Sequence, residues 1–183
     1  MRFILFIIMY VIFISCNDME TDKKPNGHKQ SDATTRPAKL LLERPTYSLI
    51  YPGNWTIDSS SKLYDIDGHF TLHSPVESGL ITFFIFNIAN DERETLQDHI
   101  NAQLEKTIKH GEVSYFTQWG NYKGHGAIIR GKMSGVWKAE LKIFVYSTGS
   151  NSFLITSIYA EGYKDDILPG LKIIESSFKL KAD

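Results

Sequence analysis

Hydrophobic and polar positions fall into short alternating runs from residue 47 onward. Tyr47 to Tyr51, Trp55 to Asp58 and Phe70 to His73 each read as a strand, with turn formers such as Pro52-Gly53-Asn54 between them. From Leu80 to Ala89 both alternating sets are largely apolar: Leu80, Phe84, Phe86 and Ile88 on one side, Ile81, Phe83, Ile85 and Ala89 on the other. Such a run predicts a central strand covered on both faces. The period then lengthens. Leu96, Ile100, Leu104 and Ile108 form a helical stripe, with Thr95 and Asp98 as a capping box and Gly111 as the stop. Four further strands follow near Glu112 to Trp119, Tyr122 to Met133, Trp137 to Ser147 and Ser152 to Ala160, and their short connections require antiparallel neighbours. Ile167, Leu171, Ile174 and Phe178 mark a closing helix from about Asp166 to Phe178, with Pro169 placed in its first turn. The order predicts an α+β fold, an α/β/α sandwich around a central antiparallel sheet.

The amino-terminal pattern is different in kind. One positive charge at Arg2 precedes an unbroken apolar run from Phe3 to Ile14, then Ser15 and Cys16. Twelve apolar residues make about 18 Å of helix, short of the roughly 30 Å hydrocarbon core of a bilayer, so the run reads as an export signal rather than an anchor. Phe13-Ile14-Ser15-Cys16 resembles the lipobox of bacterial lipoproteins, which implies cleavage before Cys16, lipidation of its thiol and attachment to a membrane of the bacterial cell envelope, the outer rather than the inner one. Cys16 is the only cysteine, so no internal disulfide is available and stability must come from packing.

Residues 17 to 44 are polar and poor in hydrophobic residues until Leu40-Leu41-Leu42, and they read as a flexible linker. The expected organisation is therefore a signal over 1–15, a lipidated linker over 16–44 and one domain over 45–183. From Pro45 onward thirteen Lys and Arg stand against sixteen Asp and Glu, with no basic cluster on any predicted element, so nucleic acid is not an expected partner.

Several local patterns together resemble the PsbP/DcrB-like family, which includes photosystem accessory proteins, bacterial lipoproteins and a Ran-binding factor. They are Tyr47-Ser-Leu-Ile-Tyr-Pro-Gly-Asn-Trp55, Phe70-Thr-Leu-His-Ser-Pro75, Thr95-Leu-Gln-Asp-His-Ile100, Gly124-His-Gly126-Ala127 and Ile173-Ile-Glu-Ser-Ser-Phe178. The resemblance implies a non-enzymatic domain that binds or helps assemble an envelope protein or takes a small ligand, with no cofactor and no catalytic set.

Two candidate constellations remain. Tyr115, Trp119, Tyr122 and Trp137 fall near strand ends and are the expected lining of a partner or ligand groove. Asp65, Asp67, His69 and His73 carry metal-ligand chemistry, and a lipid-anchored hydrolase or metal-binding enzyme using the His69/His73 strand is the alternative function. On a straight strand His69 and His73 lie roughly 13 Å apart, too far to share one tetrahedral ion, and a solvated polar face is the plainer reading. No metal is therefore assigned. No Gly-x-Ser-x-Gly elbow, His-Glu-x-x-His or phosphate-binding loop is present.

Overall fold

The computed structural model describes residues 37–58, 68–76, 78–86, 91–149 and 151–181. The signal, Cys16 and most of the linker lie outside them, as do Asp65, Asp67, Ile88 and Ala89. Among the described residues ten strands and two helices follow one another: β1 (Lys39–Glu43), β2 (Tyr47–Pro52), β3 (Thr56–Asp58), β4 (His69–His73), β5 (Gly79–Phe86), α1 (Glu92–Lys106), β6 (Ile108–Trp119), β7 (Tyr122–Met133), β8 (Trp137–Ser147), β9 (Ser152–Ala160), α2 (Lys164–Ser177) and β10 (Lys179–Leu180). Seven strands form one antiparallel sheet in the order β3-β4-β5-β9-β8-β7-β6, and β1-β2-β10 form a second, smaller one.

The large sheet separates two cores. On one face α1 packs over β6, β7 and β8, burying Leu96 and Ile100 against Ile108, Ile129, Leu141 and Ile143. On the other, α2 and the small sheet bury Tyr47, Trp55, Ile167, Ile174 and Phe178 against Phe83, Phe144 and Phe153. This is the sandwich the element order predicts, with one outer layer shared between a helix and a three-stranded sheet. Ser177 joins the two parts of that layer, its hydroxyl accepting from the Ile50 N–H at 2.8 Å and donating to the Ile50 carbonyl at 3.0 Å.

β5 is central, paired with β9 along its whole length and with β4 from Leu80 to Phe84. Its two faces differ, however. Ile81, Phe83 and Ile85 are fully buried under α2 and the small sheet, whereas Leu80, Phe84 and Phe86 are only half-buried, because α1 lies over the other end of the sheet.

Three expectations are corrected. β1 pairs with β2 from Lys39↔Pro52 to Glu43↔Ser48 and buries Leu42, so the segment read as the end of a linker is a strand of the fold. α1 begins at Glu92, capped by Asp91, whose carboxylate accepts from the N–H groups of Arg93 at 2.9 Å and Glu94 at 3.0 Å. The helix therefore starts before Thr95. It ends at Lys106, because Ile108 is already in β6 and Gly111 belongs to a register shift in that strand. Finally, α2 starts at Lys164 after a 3₁₀ turn, placing Pro169 in the second turn, where the carbonyl four residues earlier, on exposed Asp165, has no helical N–H to accept from.

Candidate functional site

The four aromatic residues do not line one groove. Trp119 is 2 % exposed and wedged among Phe83, Phe144, Phe153 and Phe178, with ring centroids 5.6 to 6.3 Å away. It is a core residue. Tyr122 packs its ring edge-on to Phe153 at 5.1 Å while its hydroxyl accepts from the Leu180 N–H at 2.8 Å, and burial pushes its phenol above the usual range. Tyr115 and Trp137, by contrast, are 67 % and 62 % exposed. Tyr115 lies opposite Ala127 and Trp137 opposite Met133, six residues along the same strand, so about 20 Å separates them.

On the histidine-bearing strand, His73 lies opposite Thr56 and Leu80, and His69 stacks on Phe84 at 4.5 Å, where burial holds its imidazole below the ordinary value. Among the described residues no three His, Cys, Asp or Glu side chains are grouped to hold a metal ion.

A different histidine meets a carboxylate. His125 Nδ1 lies 2.7 Å from Glu92 Oε2, while its Nε2 accepts from Arg93 Nε at 3.2 Å. Glu92 Oε1 also accepts the Ser147 N–H at 2.7 Å. A carboxylate that orients an imidazole supplies two of the three members of a catalytic triad, but here the nitrogen that would take a nucleophile's proton already accepts from Arg93. The cluster pins the amino end of α1 to β7 and β8. Sequence reading missed it because Glu92 and His125 are 33 positions apart.

A small cleft of about 80 Å³ lies between α2 and the large sheet, lined by residues including Trp119, Ser157, Glu140, Tyr159, Lys142 and Glu175. Several of its polar groups are already engaged. The Tyr159 hydroxyl donates to Glu140 at 2.7 Å, burial with this acceptor pushing the phenol up, and Arg130 donates to the other Glu140 oxygen at 2.8 Å. Glu175 accepts the Gly120 N–H at 3.1 Å, and Lys142 lies 3.9 Å from its second oxygen. A cleft of this size is well below that of ordinary small-molecule sites.

The more open surface is at the other end of α1. A shallow groove of about 430 Å³ is lined by Leu104, Glu105, Lys109, His110 and Gly111. It exists because β6 shifts register between Lys109 and Glu112, with His110 at a positive φ of 58°. Bulges of this kind re-aim side chains and interrupt pairing at sheet edges. Past the bulge, Glu112 to Phe116 run in regular register with β7 until a second shift, and exposed Tyr115 lies in this stretch. β6 is the last strand of the sheet, so its outer side carries backbone donors and acceptors that no other described strand pairs. Among the described residues no helix is long and apolar enough to cross a membrane.

No family model matches the chain, and no curated protein does. Solved structures do. LpqN of Mycobacterium tuberculosis, described as involved in cell envelope biogenesis, is 12 % identical with a TM-score of 0.52 over 79 % of this chain and 91 % of that one. The Saccharomyces cerevisiae Ran-binding protein Mog1p is 10 % identical with a TM-score of 0.50 over 79 % and 96 %. The cyanobacterial PsbP of Synechocystis is 10 % identical with a TM-score of 0.44 over 86 % and 100 %. In a Bacteroides thetaiotaomicron protein of 13 % identity and TM-score 0.45, 81 % of this chain spans only half of that one's length. At these identities the likeness concerns the fold alone, and it is the sandwich that LpqN and Mog1p share with this chain.

Proposed function

We propose that this protein is a non-enzymatic accessory lipoprotein of a bacterial cell envelope, cut before Cys16, lipidated there and held at the outer membrane. Its domain binds an envelope protein along the outer edge of β6. The observation that carries the binding surface is Tyr115, two-thirds exposed on an edge strand in a regular stretch between two register shifts. An unpaired edge accepts a partner's extended segment by main-chain hydrogen bonds, and an exposed aromatic beside it supplies an anchor. Supporting the envelope reading are the short apolar run ending in Ser15-Cys16 and the fold likeness to a protein of cell envelope biogenesis. The likeness to a Ran-binding protein supports protein binding as the kind of activity.

Two measurements test this. Mass spectrometry of protein extracted from membranes should find an acylated amino-terminal Cys16, and Cys16→Ala should release the domain or leave an unprocessed precursor. A mature chain with a free Cys16 thiol defeats the lipid anchor. A photo-crosslinking residue at Tyr115 should give a discrete adduct in intact envelopes, while one at exposed Lys164 on α2 should not. Identical patterns at both positions defeat the β6 surface.

A further inference from the structure

Register brings together three lysines that the chain keeps apart. Lys109 on β6 lies directly opposite Lys132 on β7, which lies directly opposite Lys138 on β8. All three are exposed, and among the described residues none is paired with a carboxylate. Neighbouring strands are about 4.8 Å apart, so the three lysine side chains leave the backbone within about 10 Å of one another. Like charges directly opposite one another destabilise a sheet. The adjacent row shows the ordinary solution: Arg130 faces Glu112 on one side and is held by Glu140 at 2.8 Å on the other. Solubility alone calls for no such lysine row, since scattered charges serve it without repulsion.

The same end of the sheet carries an apolar tip. Between β7 and β8 the Val136 N–H donates to the Met133 carbonyl at 3.1 Å, and Ser134 and Gly135 take φ of 51° and 74°. Two consecutive positive angles make a tight turn inside the three-residue connection Ser134 to Val136. It presents Val136, 69 % exposed, and Trp137, whose ring lies on the face of β8 opposite to Lys138, so that at this end of the sheet the apolar groups stand at the tip with the lysine row flanking them on one face. An indole and a branched aliphatic next to unpaired lysines have the composition of a membrane-interface contact: the rings sit at headgroup depth while the ammonium groups meet anionic lipid.

We propose that the β7–β8 hairpin tip and the Lys109–Lys132–Lys138 row dock the domain on a bilayer rich in anionic headgroups. A soluble polyanion would satisfy the lysines but would offer Val136 and Trp137 nothing to enter. The contact does not depend on the lipid at Cys16, and it lies about 20 Å along the strands from Tyr115, leaving the β6 edge open to a partner.

The test uses the chain from Cys16 to Asp183 carrying Cys16→Ser, so that no acyl chain contributes. It should co-float with vesicles of phosphatidylglycerol mixed equally with phosphatidylcholine, not with pure phosphatidylcholine, and salt should release it. Trp55 and Trp119 are 5 % and 2 % exposed, so a blue shift of tryptophan fluorescence on binding reports Trp137. Trp137→Ala should abolish the shift and weaken flotation. Lys132→Gln should weaken binding about fivefold, and the triple Lys→Gln variant on the order of 100-fold, with circular dichroism unchanged. Absence of flotation, or equal flotation of the triple variant, overturns the proposal. Flotation with an unshifted spectrum, together with equally tight binding to heparin, overturns it in favour of a soluble polyanion.

Discussion

Gly170 in α2 lies directly beneath Trp55: a Cβ built on Gly170 would come within 2.5 to 2.9 Å of three atoms of the indole ring. Replacing glycine by alanine inside a helix ordinarily gains about 1 kcal/mol. Here overpacking, which costs about 1 to 3 kcal/mol, outweighs that gain. Gly170→Ala should therefore lower the melting temperature, and Trp55→Phe in the same chain should recover part of the loss. A rise in melting temperature for the single variant would show that α2 and Trp55 are not in close contact.

Phe83 and Phe84 are neighbours in β5 on opposite faces. Phe83 is fully buried among Phe70, Trp119 and Phe178, so Phe83→Ala should cost about 3 to 5 kcal/mol, a large share of a domain's stability. Phe84 is half-buried beneath His69, and Phe84→Ala should cost distinctly less. Urea denaturation of both variants makes the comparison, and equal losses would mean that α1's face of β5 is as well covered as α2's.

Truncation separates the linker from the fold. A chain beginning at Pro37 retains β1 and should melt like the full chain. One beginning at Pro45 loses five ladder pairs with β2, buried Leu42 and the Glu43–Lys181 ion pair, and should be less stable by about 2 kcal/mol or more. Equal midpoints for the two truncations would show β1 to be dispensable.

Glu92→Ala removes the acceptor of both the Ser147 N–H and the His125 ring. The expected loss is about 1 to 3 kcal/mol, through groups left unpaired at the start of α1. Asp91→Ala, which deletes only the cap, should cost about 1 kcal/mol. Hydrogen exchange should localise both effects to the first turn of α1, and a global effect without local opening would contradict the pinning role.

Burial holds His99 and His69 below the ordinary histidine value. Above pH of about 6.5 the folded and unfolded chains are both neutral at these rings. As pH falls through that value, the unfolded chain takes up protons that the folded chain resists, so stability declines toward the folded-state values. His99→Gln should flatten the fall in melting temperature between about pH 7 and pH 5. An unchanged slope would mean that His99 is protonated in place without penalty.

Much of the architecture is legible in residue spacing. Both alternating sets of Leu80 to Phe86 are largely apolar, and β5 is central; Tyr122 to Met133, Trp137 to Ser147 and Ser152 to Ala160 are the strands their alternation predicts. Spacing records which face of an element is apolar, because the backbone period is local. Boundaries were less legible where a tertiary partner decided them. Leu40 to Leu42 form a strand because β2 is there to pair with, and Gly111 sits in a bulge because β7 continues beside it.

Lateral adjacency is not a local property. Tyr115, Trp119, Tyr122 and Trp137 look equivalent along the chain, yet packing buries Trp119 between the sheet and Phe178, ties Tyr122 to Leu180 and leaves Tyr115 and Trp137 at separate places on the surface. Glu92 meets His125 across 33 positions, and Lys109, expected at the end of a helix, becomes one row with Lys132 and Lys138 of two predicted strands, with no basic run to announce it. The sequence alone determined the strands, the helical stripes and the class of fold, since these follow from periodicities of two and 3.6 residues. Strand register decided which charges and rings meet, because a slip of a single residue moves every side chain to the other face, and only the assembled sheet selects among registers.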